Sequence, residues 1–219
     1  MILIKKYDEP QINIKEILRY MGCKDHTDDM IALVNGCLEE MKGKLSYRVC
    51  YDIFDITASA EGVDLGFVKC ESKGLATNLD GCQKAVVFAA TVGIEIDRLI
   101  AKYSRLSPSK ALCFQAIGAE RIESLCNAFN DEISNDFLAE GLYSRPRFSP
   151  GYGDLSLDIQ KDIFNYLDCP RKIGLSLNES LLMSPSKSVT AIIGLSNTPK
   201  KCKTASCSEC NKTDCSFRR

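Results

Sequence analysis

The stretch from Pro108 to about Leu138 constrains the fold of this 219-residue chain more than any other feature. Ser107 reads as an N-cap, and proline at the first helical position suits a turn whose N–H needs no partner. Leu112, Ile117, Ile122, Leu125, Phe129 and Ile133 then recur at helical spacing, so they are expected to form the inward stripe of the longest helix.

Two segments read as strands of the core. Tyr47–Ile56 is rich in β-formers, and Lys84–Thr91 is an apolar run short enough for a buried strand. Asn13 is expected to cap a short helix through Tyr20 that Gly22 stops. Thr27 opens a second helix with Met30, Ile31, Leu33, Val34, Cys37, Leu38 and Met41 on its apolar face. Val63–Val68 reads as a shorter strand, Leu75–Leu79 as a helical turn, and Ile94–Tyr103 as a helix after Gly93. Beyond the long helix come a loop rich in proline and glycine, a helix near Leu157–Leu167, and strands at Ile173–Leu177 and Val189–Leu195. Strands and helices mix without regular βαβ spacing, which gives an α+β fold with a mostly antiparallel sheet. Three parts are expected: an N-terminal helical segment 1–40, a core 41–196 and a cysteine-rich tail 197–219.

With 45% hydrophobic residues, the chain can bury one substantial core. A formal net charge of −1 speaks against disorder and against bulk affinity for nucleic acid. The charge is unevenly placed, with +4 from Lys200 onward and −5 before it. The opening Met1-Ile-Leu-Ile-Lys-Lys is too short for a signal peptide, and no apolar run could span a bilayer, so no membrane partner is expected. Twelve cysteines without a secretory signal point to a reducing cytoplasm. Eight of them (Cys23, Cys37, Cys50, Cys70, Cys82, Cys113, Cys126 and Cys169) lie in apolar stretches and read as small buried hydrophobes. The single histidine, His26, reads as a surface or capping residue, which disfavours a Ser-His-Asp triad or a multi-histidine metal site. No phosphate-binding glycine loop is present.

The loop Ser144-Arg-Pro-Arg-Phe-Ser-Pro-Gly-Tyr-Gly-Asp is the most informative irregular segment. Pro146 and Pro150 restrain its backbone, and Gly151 and Gly153 permit positive φ. Arg145, Arg147 and Tyr152 are expected to project from it. An arginine fork clamps a carboxylate, and a tyrosine face stacks on a base or meets a cation. The set suits a zwitterionic ligand with an aromatic part, while a structural turn bearing a surface arginine is the competing reading.

Arg147-Phe-Ser-Pro-Gly-Tyr152, then Ile173-Gly-Leu-Ser-Leu-Asn-Glu-Ser, then Met183-Ser-Pro-Ser-Lys-Ser-Val189, resembles the activation domain of vitamin B12-dependent methionine synthase. That family shows Arg-x-x-x-Gly-Tyr, a Thr/Asn-Glu step and Met-x-Pro-x-x-Ser-Val in this order. Phe88-Ala-Ala-Thr-Val-Gly-Ile-Glu-Ile-Asp resembles related stand-alone proteins, and the resemblance covers roughly residues 40–195. It implies an α+β fold with a twisted antiparallel sheet and flanking helices, and S-adenosylmethionine as ligand. It also implies a cobalamin-binding partner, a methionine synthase or another corrinoid protein, whose oxidised cob(II)alamin is returned to methylcobalamin with one electron from an external donor.

Carried over by position, Arg147 would hold the methionyl carboxylate. Ser149 and Gly151 would contact the adenosyl part through backbone groups, and Tyr152 would lie near the ligand. Glu123, or Glu120 if the helix alignment slips, would take the ammonium group, and Glu179 and Ser188 would support the loop. The family's Ser-Gly pair after Ser-Val is Thr190-Ala191 here, and a further tyrosine contact downstream is replaced by the tail. The chain shows no Asp-x-His-x-x-Gly for cobalamin, so the expectation is an activation subunit with methyltransferase activity only alongside its partner.

The tail holds Cys202, Cys207, Cys210 and Cys215 in a C-x4-C-x2-C-x4-C array among basic residues. Four thiolates serve a [4Fe–4S] cluster or zinc, and nearby lysine and arginine favour the thiolate form. A single Cys-x-x-Cys step and a short span favour the cluster, since structural zinc sites usually pair two knuckles across a longer loop. A cluster here would supply the electron of reductive methylation. The alternative is a non-catalytic module that docks on a corrinoid protein, with the tail as a zinc clip. An independent methyltransferase is disfavoured, because no dedicated acid–base set is visible.

Overall fold

A five-stranded antiparallel sheet with helices on both faces organises the computed structural model, which describes residues 1–23, 27–59 and 62–199. In chain order the first elements are β1 (Leu3–Tyr7), α1 (Ile14–Tyr20), α2 (Asp28–Met41), β2 (Tyr47–Asp55), β3 (Thr57–Ala58), β4 (Val63–Asp64) and β5 (Lys69–Cys70). There follow α3 (Lys73–Asn78), β6 (Cys82–Thr91), α4 (Glu95–Leu106), α5 (Pro108–Leu138) and β7 (Tyr143–Ser144). The chain then forms α6 (Ile159–Leu167), α7 (Cys169–Ile173), β8 (Ser176–Leu177), β9 (Met183–Ser184) and β10 (Ser188–Ser196). The main sheet runs β1-β2-β6-β10-β7, so β2 and β10, far apart in sequence, flank the central β6.

The central strand explains the two-sided architecture. Side chains alternate across a strand. In β6, Val86, Phe88 and Ala90 enter one core, while Ala85, Val87 and Ala89 enter another. The first core is closed by α1, α2, α4 and α5, and the second by α3, α6 and α7. A strand buried on both faces reads as a continuous apolar run, which is why Lys84–Thr91 was legible.

The local capping expectations meet their partners. Asn13 accepts from the Glu16 amide and Thr27 from the Met30 amide, satisfying first-turn donors that the helix cannot pair internally. Pro108 does open α5, but the Ser107 hydroxyl faces that of Ser109 at 3.2 Å and makes no cap bond.

Four expectations change. Leu3–Tyr7 is a strand paired with β2, so the N-terminal segment is not wholly helical. Leu112 is 50% exposed, because five residues from Ile117 at about 100° each leave it about 140° off the inward stripe. Cys113 and Phe114 take the buried positions. Of Val63–Val68 only Val63–Asp64 is a strand, β4, which turns at Gly66 (φ +84°) to pair with β5 beyond the expected segment. Ile173 ends α7, and only Ser176–Leu177 of the expected strand pairs, with β9. His26 and residues 200–219 lie outside the described residues.

Candidate functional site

The Pro-Gly loop is pinned along β10 beyond its short pairing with β7. The Arg145 amide donates to the Gly194 carbonyl at 2.8 Å, and Phe148 and Ile192 exchange two backbone hydrogen bonds at 2.8 and 2.9 Å. At the next bend the Gly151 amide donates to the Leu155 carbonyl and the Tyr152 amide to that of Ser149. Gly151 has φ +87°, a conformation that a side chain would strain. Asp154 then clamps the start of α3, accepting from the Ser72 hydroxyl and the Lys73 and Gly74 amides. The Ser72 hydroxyl and these amides hold the Asp154 carboxyl below the usual carboxylate range. A loop with this many fixed backbone groups presents its side chains in a set direction.

Between this loop, α3, α5, α6 and the start of β10 lies a cleft of about 800 Å³. Glu123, Arg147, Ser149 and Tyr152 all line it, so the structure brings together four of the residues singled out in the sequence. Gly151 sits between lining residues without lining the cleft itself. Arg145 is a correction: it is 1% exposed, its backbone paired with Gly194 and its side chain packed over that glycine of β10 instead of projecting from the loop. Tyr152 is 69% exposed, a face at the cleft mouth.

At one end of the cleft, Arg147 Nη2 lies 3.1 Å from Glu123 Oε2 and 3.1 Å from Asn127 Oδ1. The other guanidinium nitrogen, Nη1, is buried without a hydrogen-bond partner. Cys126 is packed beside this arginine on α5, and burial pushes its thiol up to about 12, so it serves as a neutral hydrophobe. A smaller recess of about 350 Å³ adjoins on the far side of the ion pair, lined by Asn13, Tyr20 and Ser124 among others. Glu120 faces that recess but is 2% exposed and saturated: Arg121, Ser124 and the Asn13 amide all donate to it.

Three further polar atoms on the cleft wall are buried without a hydrogen-bond partner: Asn78 Oδ1, Gln160 Oε1 and Thr190 Oγ1. Each such atom costs about 1–3 kcal/mol when left unmade. Sequence reasoning did not find Asn78 and Gln160, and named Thr190 only as a departure from the motif. Ser188 also lines the cleft, yet its hydroxyl lies 2.8 Å from both Thr91 Oγ1 and the Pro185 carbonyl, holding the turn that enters β10.

A family model described as vitamin B12 dependent methionine synthase, activation domain, matches residues 67–219. The chain belongs to this family. For this activation-domain chain the match begins between β4 and β5 and runs through the cysteine-rich segment, whereas the motif resemblance runs from about 40 to 195. Its fold is similar to that of the crystal structure of the MetH reactivation domain bound to AdoHcy, with a TM-score of 0.65 at 14% identity. That similarity covers 92% of this chain and 80% of the other. No curated protein matches the chain.

Cys202, Cys207, Cys210 and Cys215 lie outside the described residues of the activation-domain chain. Among the described residues no group of three or more His, Cys, Asp or Glu side chains is placed to hold a metal ion. No helix among them is long and apolar enough to cross a membrane.

Proposed function

We propose that this activation domain binds S-adenosylmethionine in the 800 Å³ cleft and presents it to the cobalamin of a methionine synthase or related corrinoid methyltransferase. The observation that carries the reading is the pairing of Arg147 and Glu123 at one end of the cleft, with Arg147 Nη1 left over. The Arg147 guanidinium can donate to a carboxylate, and the adjacent Glu123 can accept from an ammonium group, as an amino-acid ligand requires. Glu120 is already saturated, which favours Glu123 for that role. Ser149 and Tyr152 line the route toward the nucleoside end, and Gly151 holds the bend between them.

In the proposed reaction the partner's cobalamin is the methyl acceptor. The sulfonium–methyl bond breaks, the methyl group passes to the corrin cobalt after one-electron reduction by a donor, and S-adenosylhomocysteine leaves. This chain's residues bind and orient: Arg147 fixes the carboxylate, Glu123 the amine, and the clamped loop sets the angle at which the methyl faces outward. No residue has to move a proton, since methyl transfer to the reduced corrin needs none.

The four tail cysteines are proposed to carry a metal centre, an iron–sulfur cluster that delivers the electron, with a structural zinc as the alternative. Their spacing and a reaction that consumes one electron support this. Anaerobic purification with metal analysis and paramagnetic resonance separates the two: a colourless protein with stoichiometric zinc overturns the cluster. Cys207→Ser with Cys210→Ser then distinguishes lost electron transfer from lost docking on the corrinoid protein. A cytoplasmic location is proposed on the eight free cysteines of the described residues, seven of them buried.

Calorimetry with S-adenosylmethionine tests the core of the proposal. The wild type is expected to bind, and Arg147→Ala to bind about 100-fold more weakly, as loss of a charged hydrogen-bonding pair implies. Absence of binding to the wild type would overturn it.

A further inference from the structure

We infer that Cys50 and Cys169 are a redox pair, two thiols that a peroxide converts to a disulfide joining the sheet to the corner between α6 and α7. Their sulfurs lie 3.9 Å apart, and both residues are fully buried in the second core. The two stand 119 positions apart in the chain, so the fold alone brings them together. A disulfide holds its sulfurs at about 2 Å, and one partner must move to close the remaining gap. Cys50 is held on both sides, paired with Ile4 of β1 and Ala89 of β6. Cys169 is the movable partner. It opens α7, a helix of five residues, directly after Asp168 at φ +49°. That left-handed conformation is costly for a residue with a side chain, and Asp168 caps the end of α6 and the start of α7 at once. A short helix entered through a strained residue opens at lower cost than a strand inside a sheet.

The pair rests reduced while the corner is shut. The hydrogen bond to Cys50, then burial, push the Cys169 thiol up, so it stays protonated. Opening of the corner admits water and the oxidant and frees a thiolate. The thiolate attacks one oxygen of hydrogen peroxide, the O–O bond breaks, and a sulfenic acid and a hydroxide result. As the corner closes, the second thiol attacks the sulfenic sulfur, the S–O bond breaks and the S–S bond forms. Two thiols and one peroxide thus give one disulfide and two waters, with two electrons passing from sulfur to oxygen. The same α6 carries Gln160 on the cleft wall, so the link ties that wall to the sheet.

Peptide mapping of the full chain after native exposure to hydrogen peroxide, with the remaining thiols alkylated, tests the inference. A linked Cys50–Cys169 peptide is expected, together with a urea midpoint about 1 M higher than after treatment with a thiol reductant. Cys169→Ala is expected to lose the linked peptide and that rise, while its tail cysteines still oxidise. A wild type whose Cys50 and Cys169 remain open to alkylation after the tail has oxidised overturns the inference. So does a link that forms only in denaturant. Should Cys169→Ala fail to fold, the wild-type maps with and without denaturant decide.

Discussion

Arg147 and Glu123, proposed to hold the carboxylate and the amine of one ligand, hold each other at 3.1 Å. Their side chains are 22% and 46% exposed, so the pair lies in the range where an ion pair contributes little to folding. Its weight falls on binding instead. Glu123→Gln is expected to change unfolding free energy by less than about 1 kcal/mol. It should weaken S-adenosylmethionine about tenfold while a deaminated analogue binds both proteins equally. A variant that loses both ligands to the same degree refutes the assignment of the amine to Glu123.

Gly194 shows how tightly the strand behind the loop is packed. A Cβ there would stand 2.5 Å from Leu79 Cδ2 and 2.7 Å from Cys82 Sγ, with Arg145 Cγ at 3.2 Å. Gly194→Ala is expected to cost about 1–3 kcal/mol, the usual range for overfilling a close-packed core. Chemical denaturation measures it, and an unchanged midpoint would show that α3 can retreat without penalty.

Glu40 ties α2 to α4 and α5. It accepts from the Tyr103 hydroxyl at 2.7 Å and from Lys102 at 3.0 Å, and these two contacts, the tyrosine first, lower its pKa to about 2. A folded-state value below the ordinary 4.5 means that its stabilisation is complete above about pH 5 and disappears as pH falls toward 2. Glu40→Gln should therefore be less stable than wild type by about 1 kcal/mol at pH 7, with the gap closing across that acid window. Denaturation series at pH 7, 4 and 3 follow it, and a gap that is constant with pH would refute the carboxylate's role.

Thiol chemistry separates the core from the tail. Of the eight cysteines among the described residues, only Cys23 is not buried. Burial pushes Cys70 up to about 11, as it pushes Cys126 up to about 12, so neither reacts readily at neutral pH. With a tail metal in place, native protein handled anaerobically should show one fast thiol by disulfide-reagent titration. Chelation should raise that to five by releasing Cys202, Cys207, Cys210 and Cys215. Five fast thiols before chelation would mean that the tail holds no metal.

Much of the site was legible because its signal is local. Arg147, Ser149 and Tyr152 sit on one short run whose prolines and glycines dictate its bend, and Glu123 lies on a helix of 31 residues whose start and length were legible. Asn78 and Gln160 were not legible, since their meaning comes from α3 and α6 converging on one wall, a relation created by the sheet between them. Arg145 misled for the opposite reason. Two arginines flanking one proline look equivalent in sequence, yet Arg145 is buried where its backbone pairs with Gly194, and Arg147 lines the cleft. Strand β1 escaped notice because it is a short edge strand with two lysines, and edge strands carry such charges to block unwanted pairing.

Arg121 lies fully buried on α5, where it binds Glu120 and reaches back to the carbonyls of Pro10 and Gln11 at 2.5 and 2.8 Å. It thereby fastens the crossing between β1 and α1 to the helix that carries Glu123. The family match starts at residue 67, yet Pro10, Gln11 and the inner strand β2 lie ahead of it. A fragment trimmed to residues 67–219 would therefore lack β1, β2 and the carbonyls that Arg121 holds, and would leave α5 without that tether beside the cleft.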